Sequence, residues 1–134
     1  MVKISSWDKT LLLTHAALEK KACDLVVLEV RDLTTVADYF VICSGRSDRQ
    51  VQSIAQGLLE ESAEEGFKPF AMEGAQRGHW VLMDFSDVIV HVFYQPVREF
   101  YDLDGLWGDA PKAKLPDAYA QLAGQFQIAD EPLP

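Results

Sequence analysis

The order of apolar and polar residues along the chain predicts both strands and helices. Five consecutive apolar residues, Tyr39 to Cys43, are rich in aromatic and β-branched side chains and too few for a helix. Such a run is typical of a strand that is covered on both faces. Ser44-Gly45 breaks the run, so we predict a buried strand followed by a sharp turn.

A helix is predicted directly after this turn. Its apolar residues recur at the spacing of a single stripe and are Val51, Ile54, Ala55, Leu58 and Leu59. The Ser47 hydroxyl is placed to cap the helix, and Gln50 is placed to reach back to the Ser47 amide. Gly66 lies where a left-handed residue is expected to end it. A strand, a glycine turn and a helix occur together in many α/β folds.

The N-terminal part predicts one helix and one further strand. The helix runs from Ser6 to about Ala22, with Asp8 in its first turn and Lys20-Lys21 in its last, which matches the helix dipole. Leu25 to Val30 is predicted as a strand with apolar residues on both faces. Arg31 to Ala37 is a connection.

Two β-rich runs, His79 to Phe85 and Val88 to Tyr94, predict a hairpin with a two-residue turn at Ser86-Asp87. The preceding segment, Phe67 to Gly74, contains Pro69 and is predicted as an edge strand.

Period-two alternation assigns the two faces of the hairpin. One face is mainly apolar and forms a core layer. The other face consists of Trp80, Leu82, Asp84, Ile89, His91 and Phe93, with Trp80 opposite Phe93 and Leu82 opposite His91. This second face fits two interpretations, a further layer covered by helices or a surface covered by a partner.

The C-terminal part predicts a helix that starts near Pro96, continues to Leu103 and ends at Gly105. A proline-containing linker and an amphipathic helix from Asp117 to Phe126 follow. We predict one domain over residues 1–110 and, over residues 111–134, a linker, a short helix and a tail.

Composition narrows the choice of partner. The chain of 134 residues has 21 acidic and 12 basic residues and a net charge of −9. Phosphate backbones repel such a protein, so nucleic acid is not expected as the main contact, and a basic protein fits better. The charge is also explained by solubility alone. Without a secretory pattern or an apolar run near the ~20 residues of a membrane span, we expect a cytoplasmic protein with no membrane contact.

Signatures of common catalytic sites are incomplete. Gly45 is followed by Arg46-Ser47 and no second glycine, unlike the P-loop and the dinucleotide-binding motif. The histidines lack metal-ligand spacing. For two-metal nucleotidyl transfer, Asp48 would need a paired carboxylate, yet Gln50 occupies the position two residues later. We therefore expect no enzyme activity, cofactor or metal.

Several motifs follow one another in a fixed order between residues 18 and 107. They are Lys20-Lys21-Ala22, Asp24 to Val30, Ala37 to Ile42, Ser44-Gly45 with Ser47-Asp48-Arg49, Glu73-Gly74, Trp80 to Asp84, Asp87 to Phe93 and Arg98 to Trp107. In this order and spacing the chain resembles the ribosomal silencing factor family, RsfS, also called Iojap-like. It departs from the family pattern at Ser86, where glycine is usual, and in its longer segment after Trp107.

The resemblance implies an α/β fold with a mixed β-sheet of about five strands flanked by helices, nucleotidyltransferase-like but without that activity, and usually a homodimer. It also implies binding to the large ribosomal subunit through its fourteenth protein. Occupying that surface would sterically block joining of the small subunit and so repress translation.

The resemblance further implies candidate partner-binding residues. They are Trp80, Asp84, His91, Arg98 and Tyr101, which match characteristic family positions, and we add Leu82 from the same face of the hairpin as our own hypothesis. We expect Trp80 and Leu82 to fill an apolar contact and Asp84 to meet a basic side chain of the partner. Two alternatives remain. Trp80 is an ordinary core residue in one, and His91 is a hydrogen-bonded inner histidine in the other.

Two other functions stay open at this point. One is a nucleotide-binding or nucleotidyltransferase enzyme that uses Asp48 with Asp84 or Asp38. The other is a ribosome-assembly factor that uses the same surface as a silencing factor.

Overall fold

The computed structural model describes residues 4–128. The helices and strands, in chain order, are α1 Ser6–Glu19, β1 Cys23–Glu29, β2 Tyr39–Gly45, α2 Asp48–Glu64, β3 Ala71–Glu73, β4 Trp80–Asp84, β5 Val88–Tyr94, α3 Gln95–Tyr101, α4 Leu103–Leu106 and α5 Asp117–Gly124.

The strands form one mixed sheet in the order β1-β2-β5-β4-β3. Strands β2 and β5 pair in parallel, and the other neighbours pair antiparallel. The structure confirms the predicted five-stranded mixed sheet flanked by helices. It also confirms β3 as an edge strand, and every residue of β2 is buried, as its apolar run predicted.

Each face of the sheet has its own core. Helices α1 and α2 cover the first face, where apolar residues such as Leu13, Ile54 and Val90 are fully buried. The second core is smaller. It includes Leu28, Phe40, Ile42, Phe93, Leu103 and Ala110. The second face is therefore covered by α3, α4 and the chain that follows them, but over part of its area only.

Two predicted details of the N-terminal half are wrong. Helix α1 ends at Glu19, because Lys20 already caps it and Lys21 takes a left-handed conformation that turns the chain toward β1. Ser47 caps α2 as predicted, by accepting a hydrogen bond from the Gln50 amide. The Gln50 side chain, however, accepts from the Arg46 amide, at 2.7 Å, rather than from Ser47.

The C-terminal helices also differ from the prediction. Helix α3 ends at Tyr101 because Asp102 is left-handed, with φ of 48°, and its side chain caps α4 by accepting from the Gly105 amide. Gly105 thus lies inside a second short helix instead of ending the first one. Helix α5 ends at Gly124, before Phe126, and contacts α1 and β1. The domain boundary after residue 110 stays a prediction, and residues 129–134 of the predicted tail lie outside the described residues.

Within residues 4–128, no helix is long and apolar enough to cross a membrane.

Candidate protein-binding surface

The hairpin of β4 and β5 sets the geometry of the second face. The Phe85 amide donates to the Val88 carbonyl at 2.9 Å, which closes a two-residue turn, and Ser86 adopts a positive φ of 80°. The turn therefore has the predicted length of two residues, with a serine rather than a glycine at the position of positive φ. Trp80 lies opposite Phe93 and Leu82 opposite His91, as the alternation predicted.

The interpretation as a layer covered by helices is correct for part of the second face, and for the rest the interpretation as a partner-covered surface stays a prediction. Phe40, Ile42 and Phe93 belong to the second core under α3 and α4. Trp80 and Leu82, on β4, are only partly buried at the margin of this core. The helices therefore leave the β3–β4 side of this face only partly covered.

Trp80 is held by contacts on several sides. Its indole stacks on the Phe93 ring with centroids 4.8 Å apart, and the Tyr101 ring of α3 lies 5.1 Å away. Its Nε1–H donates a hydrogen bond to Nδ1 of His91 at 3.2 Å. Trp80 is thus neither an ordinary core residue nor a freely exposed one.

Helix α3 extends this site with exposed aromatic rings. Tyr101 is 57% exposed and Phe100 is 82% exposed, and their rings meet edge to face at 5.1 Å. We define the aromatic surface as Trp80, Leu82, Phe100 and Tyr101. Sequence reasoning missed Phe100, because a single aromatic residue in a short helix carries no periodic signal that it is exposed.

Shallow clefts flank Trp80. One, of about 320 Å³, is lined by Glu73, Gly74, Trp80 and Leu82. The other, of about 260 Å³, is lined by Gly74, Arg77, His79, Trp80, Val97 and Tyr101. Trp80 and Gly74 line both clefts, so the indole borders each of them. Glu73 also lines the first cleft, and the sequence analysis did not include it among the candidate residues.

His91 is buried, with only 5% of its surface exposed. Burial lowers the pKa of its imidazole from 6.5 to about 4, so the ring is neutral at pH 7. Its position under Trp80 matches the alternative of a hydrogen-bonded inner histidine. In this structure the side chain does not reach the surface.

Arg98 is also buried, with 8% of its surface exposed. Its Nη1 donates to the Asp24 carbonyl at 2.8 Å and to the Ser44 hydroxyl at 2.9 Å. Its Nε and Nη2 donate to the two carboxylate oxygens of Asp104 at 3.0 and 2.8 Å. Arg98 therefore ties α3 and α4 to the sheet from inside and presents no charge to a partner.

Asp84 lies at the hairpin end of β4 and is half-buried. One carboxylate oxygen accepts from the Ser86 amide at 2.7 Å, so this aspartate stabilises the turn. A carboxylate has several further acceptor positions, which allows Asp84 to meet a basic side chain as well.

The carboxylates of the enzymatic alternative are not brought together. Asp38 precedes β2, and Asp48 follows its other end. Asp84 is opposite Ile89, which is opposite Phe40, so it lies at the Asp38 end of the sheet. The length of β2 alone places Asp48 roughly 20 Å away from that end. The enzymatic alternative requires Asp48 to lie close to Asp84 or Asp38, and the structure does not show this arrangement.

Comparison with known proteins adds an independent line of information. A family model described as "Ribosomal silencing factor during starvation" matches residues 3–131. The ribosomal silencing factor RsfS of Bacillus subtilis is 45% identical over 110 residues, which cover 81% of this chain and 93% of that protein. A crystal structure from Chromobacterium violaceum, at 31% identity, superposes with a TM-score of 0.77 and covers 85% of this chain and 92% of that one.

A more distant relative bears a different name. The mouse protein named "Mitochondrial assembly of ribosomal large subunit protein 1" is 27% identical over 117 residues, which cover 85% of this chain and half of that protein.

Proposed function

Because the chain belongs to the ribosomal silencing factor family, we propose that it silences ribosomes by one particular route. It binds the large ribosomal subunit through that subunit's fourteenth protein and blocks joining of the small subunit. Translation is repressed because a ribosome cannot assemble around an occupied contact surface. The mechanism is steric and requires no catalytic step.

The observation that carries this proposal is the aromatic surface. Phe100 and Tyr101 expose large apolar rings next to the partly buried Trp80. Isolated exposed apolar residues are common, but a contiguous aromatic group of this kind is typical of binding sites, where aromatic side chains contribute much of the affinity.

Charge supports a basic protein as the partner. The chain carries a net charge of −9, and the carboxylates of Glu73 and Asp84 belong to the same face as Trp80 and Leu82. Ribosomal proteins are generally basic because they bind RNA, so long-range attraction would steer the two surfaces together. Direct contact with RNA is not the main interaction in this proposal.

The six residues expected to bind the partner take different parts in the proposal. Trp80, Leu82 and Tyr101 contact the partner directly, and Asp84 meets a basic side chain at the edge. His91 and Arg98 act from inside, because both are buried. A homodimer is the proposed form of the free protein, which light scattering coupled to size-exclusion chromatography would measure.

The name of the mouse relative favours one second candidate. A ribosome-assembly factor would use the same surface but bind a precursor of the large subunit. The two candidates differ in the particle that is bound and in whether mature subunits are prevented from joining.

A subunit-joining assay tests the proposal. Purified large and small ribosomal subunits are mixed with and without an excess of the protein and separated on a sucrose gradient. We expect the protein to sediment with the large subunit and the joined-ribosome peak to collapse. Sedimentation with the large subunit while the joined peak is unchanged would favour assembly, and protein that stays at the top of the gradient would contradict both candidates.

A further inference from the structure

The hydrogen bond between Trp80 and His91 joins the surface to the core. Trp80 is partly exposed on β4, whereas His91 is buried opposite Leu82 on β5. The indole Nε1–H donates to Nδ1 of the imidazole at 3.2 Å. Trp80 is therefore fixed by a polar contact below the surface in addition to its stacking on Phe93.

This contact determines the tautomer of His91. Nδ1 accepts the indole hydrogen, so the single proton of the neutral ring is on Nε2. Nε2 is itself buried and has no hydrogen-bond partner among the described residues. The ring is surrounded by aromatic neighbours, with the Phe40 ring edge to face at 5.2 Å. His91 thus has one satisfied nitrogen, which faces Trp80, and one unsatisfied nitrogen.

An imidazole is a poor choice for merely filling this space. Leucine or phenylalanine would occupy an aromatic pocket without leaving a buried polar atom unpaired, which normally costs stability. The one interaction that His91 makes and an apolar residue would not make is the hydrogen bond to Trp80.

We propose that His91 is a positioning residue, which holds the Trp80 indole in its orientation beside the two clefts before a partner arrives. The inference rests on the proposed function, because it assigns the Trp80 indole to partner binding. Orienting a ring in advance reduces the ordering cost of association. His91 contributes to affinity through Trp80 alone and touches no partner.

The orientation of the indole is measured first, on the free protein and without ribosomes. In a ¹H–¹⁵N spectrum the Trp80 Nε1–H signal is assigned as the one that Trp80→Phe removes. We expect His91→Leu to shift this signal and to speed its hydrogen exchange by about tenfold, since the N–H loses its acceptor. His91→Asn, whose Oδ1 lies near the position of Nδ1, is expected to keep the signal protected.

Affinity for purified large subunits is measured next, in a double-mutant cycle. His91→Leu should weaken binding about five- to tenfold, the range of one lost hydrogen bond, and His91→Asn should stay within about twofold of the unmodified protein. In the Trp80→Phe background, which keeps an aromatic ring but has no N–H, His91→Leu should have no further effect.

Several results would overturn the inference. The first is an indole signal that stays unchanged in His91→Leu. The second is an affinity for large subunits that stays unchanged in His91→Leu although the indole has become mobile. The third is a loss of affinity on His91→Leu that is equally large with Trp80 and with Phe at position 80. If His91→Leu does not melt cooperatively, His91→Gln replaces it, because its longer side chain places the amide near Nε2 instead of Nδ1. Failure of the unmodified protein to bind subunits would count against the proposed function, while the indole measurement would still decide whether His91 fixes Trp80.

Discussion

Arg98 and Asp104 form a bidentate ion pair, with N–O distances of 3.0 and 2.8 Å, between helices α3 and α4. The pair is asymmetric, because the Arg98 side chain is 9% exposed and the Asp104 side chain 39%. Hydrogen bonding from Arg98 lowers the pKa of Asp104. The same guanidinium also reaches Ser44 on β2, so the position of the aromatic surface on α3 depends on an interaction inside the protein.

Replacing Arg98 by lysine should therefore destabilise the protein although the charge is kept. A lysine ammonium is a single point donor and cannot replace a planar fork that binds a carboxylate, a hydroxyl and a carbonyl together. We expect a loss of about 1–3 kcal/mol in the free energy of unfolding, measured with urea. Arg77→Lys is the matched control, because Arg77 is exposed, and it should change this free energy by less than about 0.5 kcal/mol.

Burial of His91 predicts a specific dependence of stability on pH. The pKa of this imidazole is about 4 in the folded protein, below the ordinary histidine value of 6.5 that applies to the unfolded chain. The unfolded chain therefore binds a proton between these values while the folded protein does not, so stability is full above pH 6.5 and falls as the pH decreases toward 4. The total loss is about 3 kcal/mol.

Urea unfolding at pH 7, 5.5 and 4.5 measures this dependence. Carboxylates also titrate in this range, so the difference between the unmodified protein and His91→Phe isolates the contribution of His91. We expect the variant to lose less stability on acidification. The control is His15→Gln, because His15 lies on α1 and its side chain is 39% exposed. If the free energy of unfolding of His91→Phe falls with decreasing pH as steeply as that of His15→Gln, the prediction is contradicted.

Gly74 and Gly66 offer a comparison of two left-handed glycines. Both have positive φ, of 85° and 89°. A Cβ on Gly74 would overlap the carbonyl oxygen of Trp80, whereas a Cβ on Gly66 would meet nothing within 4 Å. Gly66→Ala should cost only the conformational strain of about 1–2 kcal/mol. Gly74→Ala should cost clearly more and should also disturb the indole signal of Trp80, as urea unfolding and a ¹H–¹⁵N spectrum would show.

The sequence was sufficient for features that depend on local periodicity. Alternation along β4 and β5, together with a two-residue turn, placed Trp80 opposite Phe93 and Leu82 opposite His91 correctly. The sequence was insufficient for features that depend on contacts between segments distant in the chain. The resemblance placed Arg98 among the candidate residues, but its burial and its hydrogen bonds to Asp24 and Ser44 join segments distant in the chain, and no local pattern indicates them.

The left-handed conformation of Asp102 is a second feature that the pattern did not reveal. The apolar pattern predicts one helix that continues to Leu103, whereas the structure has two short helices joined at Asp102. The side chain of this residue caps α4, and asparagine and aspartate tolerate the left-handed region better than most residues. The break matters for the site, because the first of these helices presents Phe100 and Tyr101.

Phe100 allows the aromatic surface to be tested without disturbing the fold. Trp80→Ala would remove a partly buried ring with stacking and hydrogen-bond contacts, so a loss of binding could reflect a loss of stability. Phe100 is 82% exposed, and its truncation should change the free energy of unfolding by less than about 0.5 kcal/mol. If the surface binds the large subunit, Phe100→Ala should weaken that binding about tenfold or more, as for an aromatic contact near the centre of an interface.

Phe70 supplies the matched control for this measurement. It is a phenylalanine of similar exposure, 88%, and its amide donates to the Asp84 carbonyl at the hairpin end of β4. The length of β4 places this end about 13 Å from Trp80. Phe70→Ala should therefore weaken the binding of large subunits clearly less than Phe100→Ala does, because its backbone adjoins Asp84 at the edge of the proposed contact rather than at its centre. If the two variants lose affinity equally, the effect is a general one of surface apolarity. If Phe100→Ala binds as well as the unmodified protein, α3 is not part of the binding surface, and only the residues of β4 contact the large subunit.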